Sequence, residues 1–333
     1  MFELLGITLF LAGLLTLNSL AAFLIDALCR FTLRWRRTWS NQLNSQVLFI
    51  ARVLPVTISI SLLALLVAPA YIALEPRHNT EEISVKLVLL AVLSAAGILL
   101  TIWRGLHSWH ATKRLRRNWM ASARRVSVNG IEIPSYRFDH PFPVIAVVGA
   151  FKPRLFIANQ VLSTLSEDEL AAAMAHECAH LDARDNLKRG VLRACRDMLG
   201  IIPCGRSLDR AWAEASEVAA DELASSRGRS AALDLASALV KIARLVPPGV
   251  SIRIPAGAFL IDGTDSQGIS SRVGKLLQLA AAGRATHLNF HGVRAAIPAT
   301  LVAVLTVLVL GSTSNSLLVV VHSFTEQFVS LLK

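Results

Sequence analysis

The chain has 333 residues, 53% of them hydrophobic, and a mean hydropathy of +0.52. Such a composition excludes an ordinary soluble enzyme and points to several membrane spans. A net charge of +11 with pI ≈ 10.2 would suit a nucleic-acid binder, but the positions of the charges suggest another use for them.

Leu4 to Ile25 is an almost unbroken apolar run flanked by Glu3 and Asp26. A helix needs roughly 20 residues to cross a bilayer core, so this run can span. Val53 to Leu74 is the second run, with Pro55 and Pro69 near its ends as possible kinks. Leu87 to Trp103 is the third, and Trp103 is a candidate interfacial anchor. Ala295 to Val321 is the fourth, diluted in its second half by Gly311 to Asn315. Arg30, Arg34, Arg36, Arg37 and Arg52 follow the first run. Arg104, Lys113, Arg114, Arg116, Arg117, Arg124 and Arg125 follow the third without an intervening acid. Basic loops stay on the cytoplasmic side. The first loop and the segment after span three are therefore expected in the cytosol, and the N-terminus, second loop and C-terminal tail outside. Contact with anionic lipid accounts for the Arg104–Arg125 stretch, and no direct nucleic-acid partner is expected.

The expected fold is an α-helical membrane protein with four transmembrane helices and a cytosolic α+β domain. Its divisions are 1–110 for three spans, 111–290 for the cytosolic domain, and 291–333 for the fourth span and a short external tail. Within the domain, 126–148 reads as short strands and turns. The segments 144–150 and 154–158 read as paired strands joined near Pro153, offering an edge to an extended peptide. Acidic and apolar helices are expected over 208–226 and 230–245. A loop is expected over 251–269 and a short helix over 270–281. Cys29, Cys178, Cys195 and Cys204 form no C-x-x-C pair and imply no disulfide framework. The apolar N-terminus lacks the basic region and cleavage site of a secretory signal.

The stretch His176-Glu177-Cys178-Ala179-His180 reads H-E-x-x-H. Ser166 and Glu169 form a capping box before it, and Leu170 to Ala175 favours helix. On a helix, His176 and His180 share one face and can offer two imidazoles to one zinc ion. Glu177 beside them can take a proton from water. Two readings compete, a zinc hydrolase site and two ordinary helix histidines beside a glutamate; the helical context favours the site. A third ligand is sought on the 208–226 helix. Glu214, Glu217 and Asp221 share its broad face and Glu222 points away, which leaves Glu214 against Glu217. Asp221, one turn after Glu217, could hold the free ring N–H of a ligating histidine, which favours Glu217. For the oxyanion, His287, His291, Arg206 and Tyr136 are all candidates.

The run from His176 to Asp185, followed by Glu217-Val-Ala-Ala-Asp221, resembles the BlaR/MecR-type integral-membrane zinc metallopeptidases. So do Gly149 to Ile157, Leu165 to Leu170, and the order of three spans, zinc domain and fourth span. This resemblance implies a bacterial inner-membrane signalling peptidase that cuts a cytosolic transcriptional repressor, with Zn2+ as cofactor. It implies a zincin-like zinc metallopeptidase domain for 111–290, with His176, His180 and Glu217 as metal ligands, Glu177 as the catalytic residue and Asp221 as the residue orienting a ligand. The β-lactam sensors of that family carry an external penicillin-binding domain; here only about His322 to Lys333 follows the fourth run. A separate sensor protein is therefore a candidate partner, beside the peptide substrate and the bilayer. Two alternatives stand: a CaaX-protease/HtpX-like processing or quality-control peptidase, and a non-catalytic membrane signalling scaffold.

Overall fold

The protein is described from a computed structural model, which covers residues 2–32, 40–77, 83–128, 131–198, 205–226, 228–246, 266–282, 306 and 309–332. Three helices here are long and apolar enough to cross a membrane. The first is α1 (Phe2–Thr32). The second starts at α2 (Asn41–Leu62), passes through a π-helical segment (Leu63–Val67) and ends in α3 (Ala68–Leu74). Pro69 cannot donate a backbone hydrogen bond, so the wider turn just before it is where the i→i+4 ladder is interrupted. The third is α4 (Val85–Ser122). It carries the basic residues from Arg104 to Arg117 as uninterrupted helix, and Arg124 and Arg125 come after its end. Large apolar side chains on these helices, among them Leu20, Phe23, Leu89 and Leu99, face outward, as lipid contact requires.

About half of the fourth expected span, 295–305 and 307–308, lies outside the described residues. Its described end is not one helix. The chain breaks at Thr313–Ser314 and begins again as α11 (Asn315–Leu331). Ser312 and Thr313 hydroxyls bond back to the Val309 and Leu310 carbonyls, and Ser314 is extended, so the polar stretch ends the helix. The expected tail, His322 to Lys333, is largely helical. Val329 packs with Leu5, Leu9, Tyr71 and Leu87, and Ser84 donates a hydrogen bond to the Leu332 carbonyl. The start of α1, the end of α3, the start of α4 and the end of α11 thus meet at one end of the molecule.

At the opposite end sits a small mixed sheet with helices. Strands β1 (Arg124–Val126), β2 (Ser135–Phe138), β3 (Ile145–Val148) and β4 (Arg154–Ala158) pair in the order β1-β2-β4-β3. The expected pair 144–150 and 154–158 is the antiparallel ladder β3–β4. The edge is β3; β4, the strand nearer the H-E-x-x-H motif in sequence, is internal because β2 pairs with it in parallel. Helices α5 (Asn159–Thr164), α6 (Glu167–Ala183), α7 (Asp185–Met198), α8 (Arg206–Ser225), α9 (Arg229–Leu245) and α10 (Ser266–Ala282) follow. Residues 266–269, expected as loop, are the first turn of α10. The sheet packs on α6, α9 and α10 through Phe156, Ile157, Met174, Leu239 and Leu276.

Two close approaches at glycines help fix this domain to the spans. Gly97 of α4 lies so close to the Met198 carbonyl of α7 that a Cβ would sit 2.7 Å from that oxygen. Gly205, with φ +86°, leaves room for the Arg52 guanidinium of α2, whose Nε a Cβ would approach to 2.7 Å. Cys29, Leu48, Leu192, Leu208 and Trp212 form the apolar cluster around that junction.

Candidate active site

The capping box at the start of α6 is formed on both sides: Glu169 N–H donates to Ser166 Oγ at 3.3 Å and Ser166 N–H to Glu169 Oε2 at 2.8 Å. The Glu169 carboxylate also receives hydrogen bonds from Ser237 Oγ at 2.6 Å and Lys241 Nζ at 2.8 Å, tying α6 to α9. The motif helix is thus held at its N-terminus and buried along the His176 face, where His176 is 0% exposed.

His176 and His180 turn their Nε2 atoms toward each other, 3.2 Å apart. Glu217 of α8 reaches both: Oε2 lies 3.6 Å from His176 Nε2 and Oε1 3.6 Å from His180 Nε2. Two ring nitrogens facing each other beside a carboxylate make a place for a cation. With metal–ligand bonds of about 2.1 Å, a tetrahedral zinc site has ligand atoms about 3.4 Å apart. The three separations fit that figure, and the donor set of two imidazoles and one carboxylate suits zinc. Glu214, the competing candidate, is exposed and takes no part in this group. Glu222 points away as expected, accepting a hydrogen bond from Asn41 of α2.

Each histidine has a carboxylate behind it. His176 Nδ1 lies 2.9 Å from Asp221 Oδ1, an ion-pair contact rather than an aligned hydrogen bond. His180 Nδ1 lies 2.7 Å from Asp185 Oδ2. This second carboxylate arrives through a sharp corner. Arg184 adopts the left-handed conformation, φ 54°, ends α6, and lets α7 start at once with Asp185 turned back on the site. Burial lowers the pKa of His180, but Asp185 and Glu217 outweigh it and raise it to about 10. Burial of His176 is likewise outweighed by Asp221 and Glu217, so its pKa is raised. Against their own burial, Glu217 and Asp221 are held low by the histidines and by Arg272.

Arg272 and Arg189 are site residues that the sequence reading did not find. Arg272 of α10 clamps Asp221 with two bonds, NH2 to Oδ1 at 2.7 Å and Nε to Oδ2 at 2.9 Å. Its NH1 lies 3.3 Å from Glu217 Oε2 and its NH2 3.4 Å from His176 Nε2. Arg189 of α7 donates to Glu217 Oε1 at 3.1 Å. Neither belongs to a recognisable spacing, because each reaches the site from another helix. Of the four residues considered for the oxyanion, His287 and His291 lie outside the described residues. Tyr136 stacks on Phe156 in the sheet, and Arg206 is exposed at the start of α8, three turns from Glu217. Arg189 and Arg184 are instead the arginines that line the cleft, and Arg189 is the one bonded to Glu217.

That cleft, about 360 Å³, is lined by Val147 and Gly149 of the edge strand and its turn, by Glu177 and His180, and by Arg189. Glu177 is 4% exposed, and its Oε1 has no hydrogen-bond partner among the described residues. Burial pushes its pKa up, with His176 and His180 pulling the other way. Asn186 donates to the Val147 carbonyl at 3.0 Å, so part of the β3 edge already has a side-chain partner.

An H-E-x-x-H helix, a carboxylate brought in by a later helix and a sheet edge along the cleft together define a metallopeptidase-type site. Residues 145–239 match the model of Peptidase family M48. The matched stretch runs from the edge strand to α9. It contains His176, Glu177, His180, Glu217 and Asp221, and leaves out the spans and Arg272. The match supports the metallopeptidase class and does not extend to the BlaR/MecR type. No curated protein matches the chain.

Proposed function

We propose that this protein is a membrane-embedded zinc endopeptidase that hydrolyses peptide bonds of a cytosolic protein, with its catalytic domain on the cytosolic side of a bacterial inner membrane. The observation that carries this reading is the convergence of His176, His180 and Glu217 around one point, with Glu177, whose Oε1 has no hydrogen-bond partner among the described residues, lining the adjoining cleft. His176, His180 and Glu217 would hold the zinc, which supplies Lewis acidity and makes water more acidic. Glu177 takes the water proton and delivers it to the leaving amine. The β3 edge aligns an extended substrate backbone. Arg189 faces the cleft and offers a hydrogen-bond donor to a developing negative charge. The basic residues on the projecting half of α4 support a cytosolic catalytic domain.

Regulated cleavage of a transcriptional repressor is the role we propose within this activity, on the resemblance of the motifs and the span order. Processing or quality control of membrane proteins is the second reading. It is favoured by a groove that runs on from the cleft to Arg104 and Thr101, at the end of the apolar part of α4. New protein N-termini in cells carrying wild type or Glu177→Gln separate the two. Wild-type-dependent ends in a soluble DNA-binding protein support the first, and ends next to membrane spans support the second. Identical ends in both strains contradict a peptidase.

A further inference from the structure

The catalytic cleft does not stop at Phe151. It opens into a larger groove of about 930 Å³, and the two share Gly149, Ala150, Phe151 and Asn186. One wall is α4 from Thr101 to Arg116, and the other is α7 from Asn186 to Asp197. Six cations line it: Arg104, Lys113, Arg116, Lys152, Arg193 and Arg196. Its one lining acid, Asp197, is engaged by Arg104 at 2.7 Å. Arg196 has a distant partner in Asp209 at 3.9 Å, and Lys113 lies over the Trp109 ring at 5.3 Å. Among the described residues no carboxylate pairs with Arg116, Lys152 or Arg193. Partial burial and the Arg196 and Arg189 charges together lower the Arg193 pKa, so this wall is crowded with positive charge.

Anionic headgroups can reach the Arg104 end. They do not account for the far end. Arg116 lies about 18 Å further along α4, about twice the ~8 Å screening length at physiological salt. The far end instead joins the cleft, where a peptide must lie to be cut. We infer that the groove binds an acidic stretch of the substrate and so selects which peptide bond enters the catalytic cleft. This inference rests on the peptidase reading. The spacing is set by α7: Arg193 is seven residues from Asn186, about 10 Å along the helix. An extended peptide covers that distance in about three residues, so about three residues of the acidic run lie between the junction and Arg193. Phe151, 84% exposed at the junction, offers an apolar surface to the residues between.

The test is a binding measurement that needs no cleavage. The full chain carrying Glu177→Gln is placed in phosphatidylcholine nanodiscs. Fluorescein-labelled peptides with a run of glutamates beside an apolar segment are compared with the same peptides bearing glutamines, by anisotropy. The glutamate peptide should bind at least about 10-fold tighter at about 50 mM salt, with the difference shrinking at about 500 mM. The triple variant Arg116→Gln, Lys152→Gln, Arg193→Gln should lose that preference. The variant Arg125→Gln, Arg137→Gln, Arg229→Gln removes equal charge from exposed sites outside the groove and should keep it within about 2-fold. Melting temperature and zinc binding establish that each variant is folded. Equal binding of the two peptides, or equal loss in both triple variants, overturns the inference. So does loss of the preference when phosphatidylglycerol is added to the discs, which would assign the groove to lipid headgroups. None of these outcomes touches the zinc and Glu177 tests, so the two readings fail separately.

Discussion

Arg52 of the second membrane helix and Asp209 of α8 form an ion pair across the junction of membrane and catalytic domain, Nε to Oδ1 at 3.1 Å. Arg52 is 1% exposed, and Asp209 lies two turns before Glu217 on the same helix. The helix that carries the third proposed ligand is therefore anchored on a buried charge in a span. Removing one partner leaves the other unpaired. Asp209→Ala should cost about 3–5 kcal/mol of stability, whereas the double change Arg52→Met, Asp209→Leu should cost much less. Thermal unfolding of the solubilised protein checks this; equal losses in both variants would mean that the pair does not anchor α8.

The two carboxylates behind the histidines should matter almost as much as the ligands. Asp185→Asn and Asp221→Asn should each weaken zinc affinity roughly 10–100-fold, because the ring orientation and basicity of one histidine depend on each. Competition with a fluorescent zinc chelator measures this. Wild-type affinity in Asp185→Asn would show that His180 is oriented by something else.

Zinc uptake should release protons. His176 and His180 have raised pKa values, about 10 for His180, so the metal-free site favours protons on these rings. Zinc takes neutral imidazole, so binding must expel those protons, and affinity must rise with pH through the neutral range. The sign is fixed by the direction of the shifts. In the metal-free protein the raised His180 value contributes stability that is fully present below pH 6.5 and is lost as pH rises through about 10. Calorimetry in buffers of different ionisation enthalpy should find at least about one proton released per zinc, the charge of the His180 ring. A buffer-independent enthalpy would contradict this.

Local patterns in the sequence predicted local structure well. Ser166 and Glu169 announced the start of α6, and the short apolar runs around Val147 and Ile157 announced the β3–β4 ladder. Glu217 was separable from Glu214 because Asp221 follows it by one turn, and the structure turns that pair toward the histidines. Long-range placement was harder to read. Arg272 and Arg189 carry no spacing signal, since only tertiary packing brings α10 and α7 to Glu217. Asp185 stood next to the motif, but its role depends on the left-handed Arg184, which a non-glycine residue gives little reason to expect. The fourth apolar run was read as one span because hydropathy sums over side chains. The hydroxyls of Ser312 and Thr313, which break it, act on the backbone.

The zinc content of purified protein tests the central claim most directly. Wild type and Glu214→Ala should each carry about one zinc per chain, and Glu217→Ala should carry almost none, since catalytic zinc takes three protein ligands. Zinc that falls with Glu214→Ala and survives Glu217→Ala, or wild-type protein that binds none, would contradict the account.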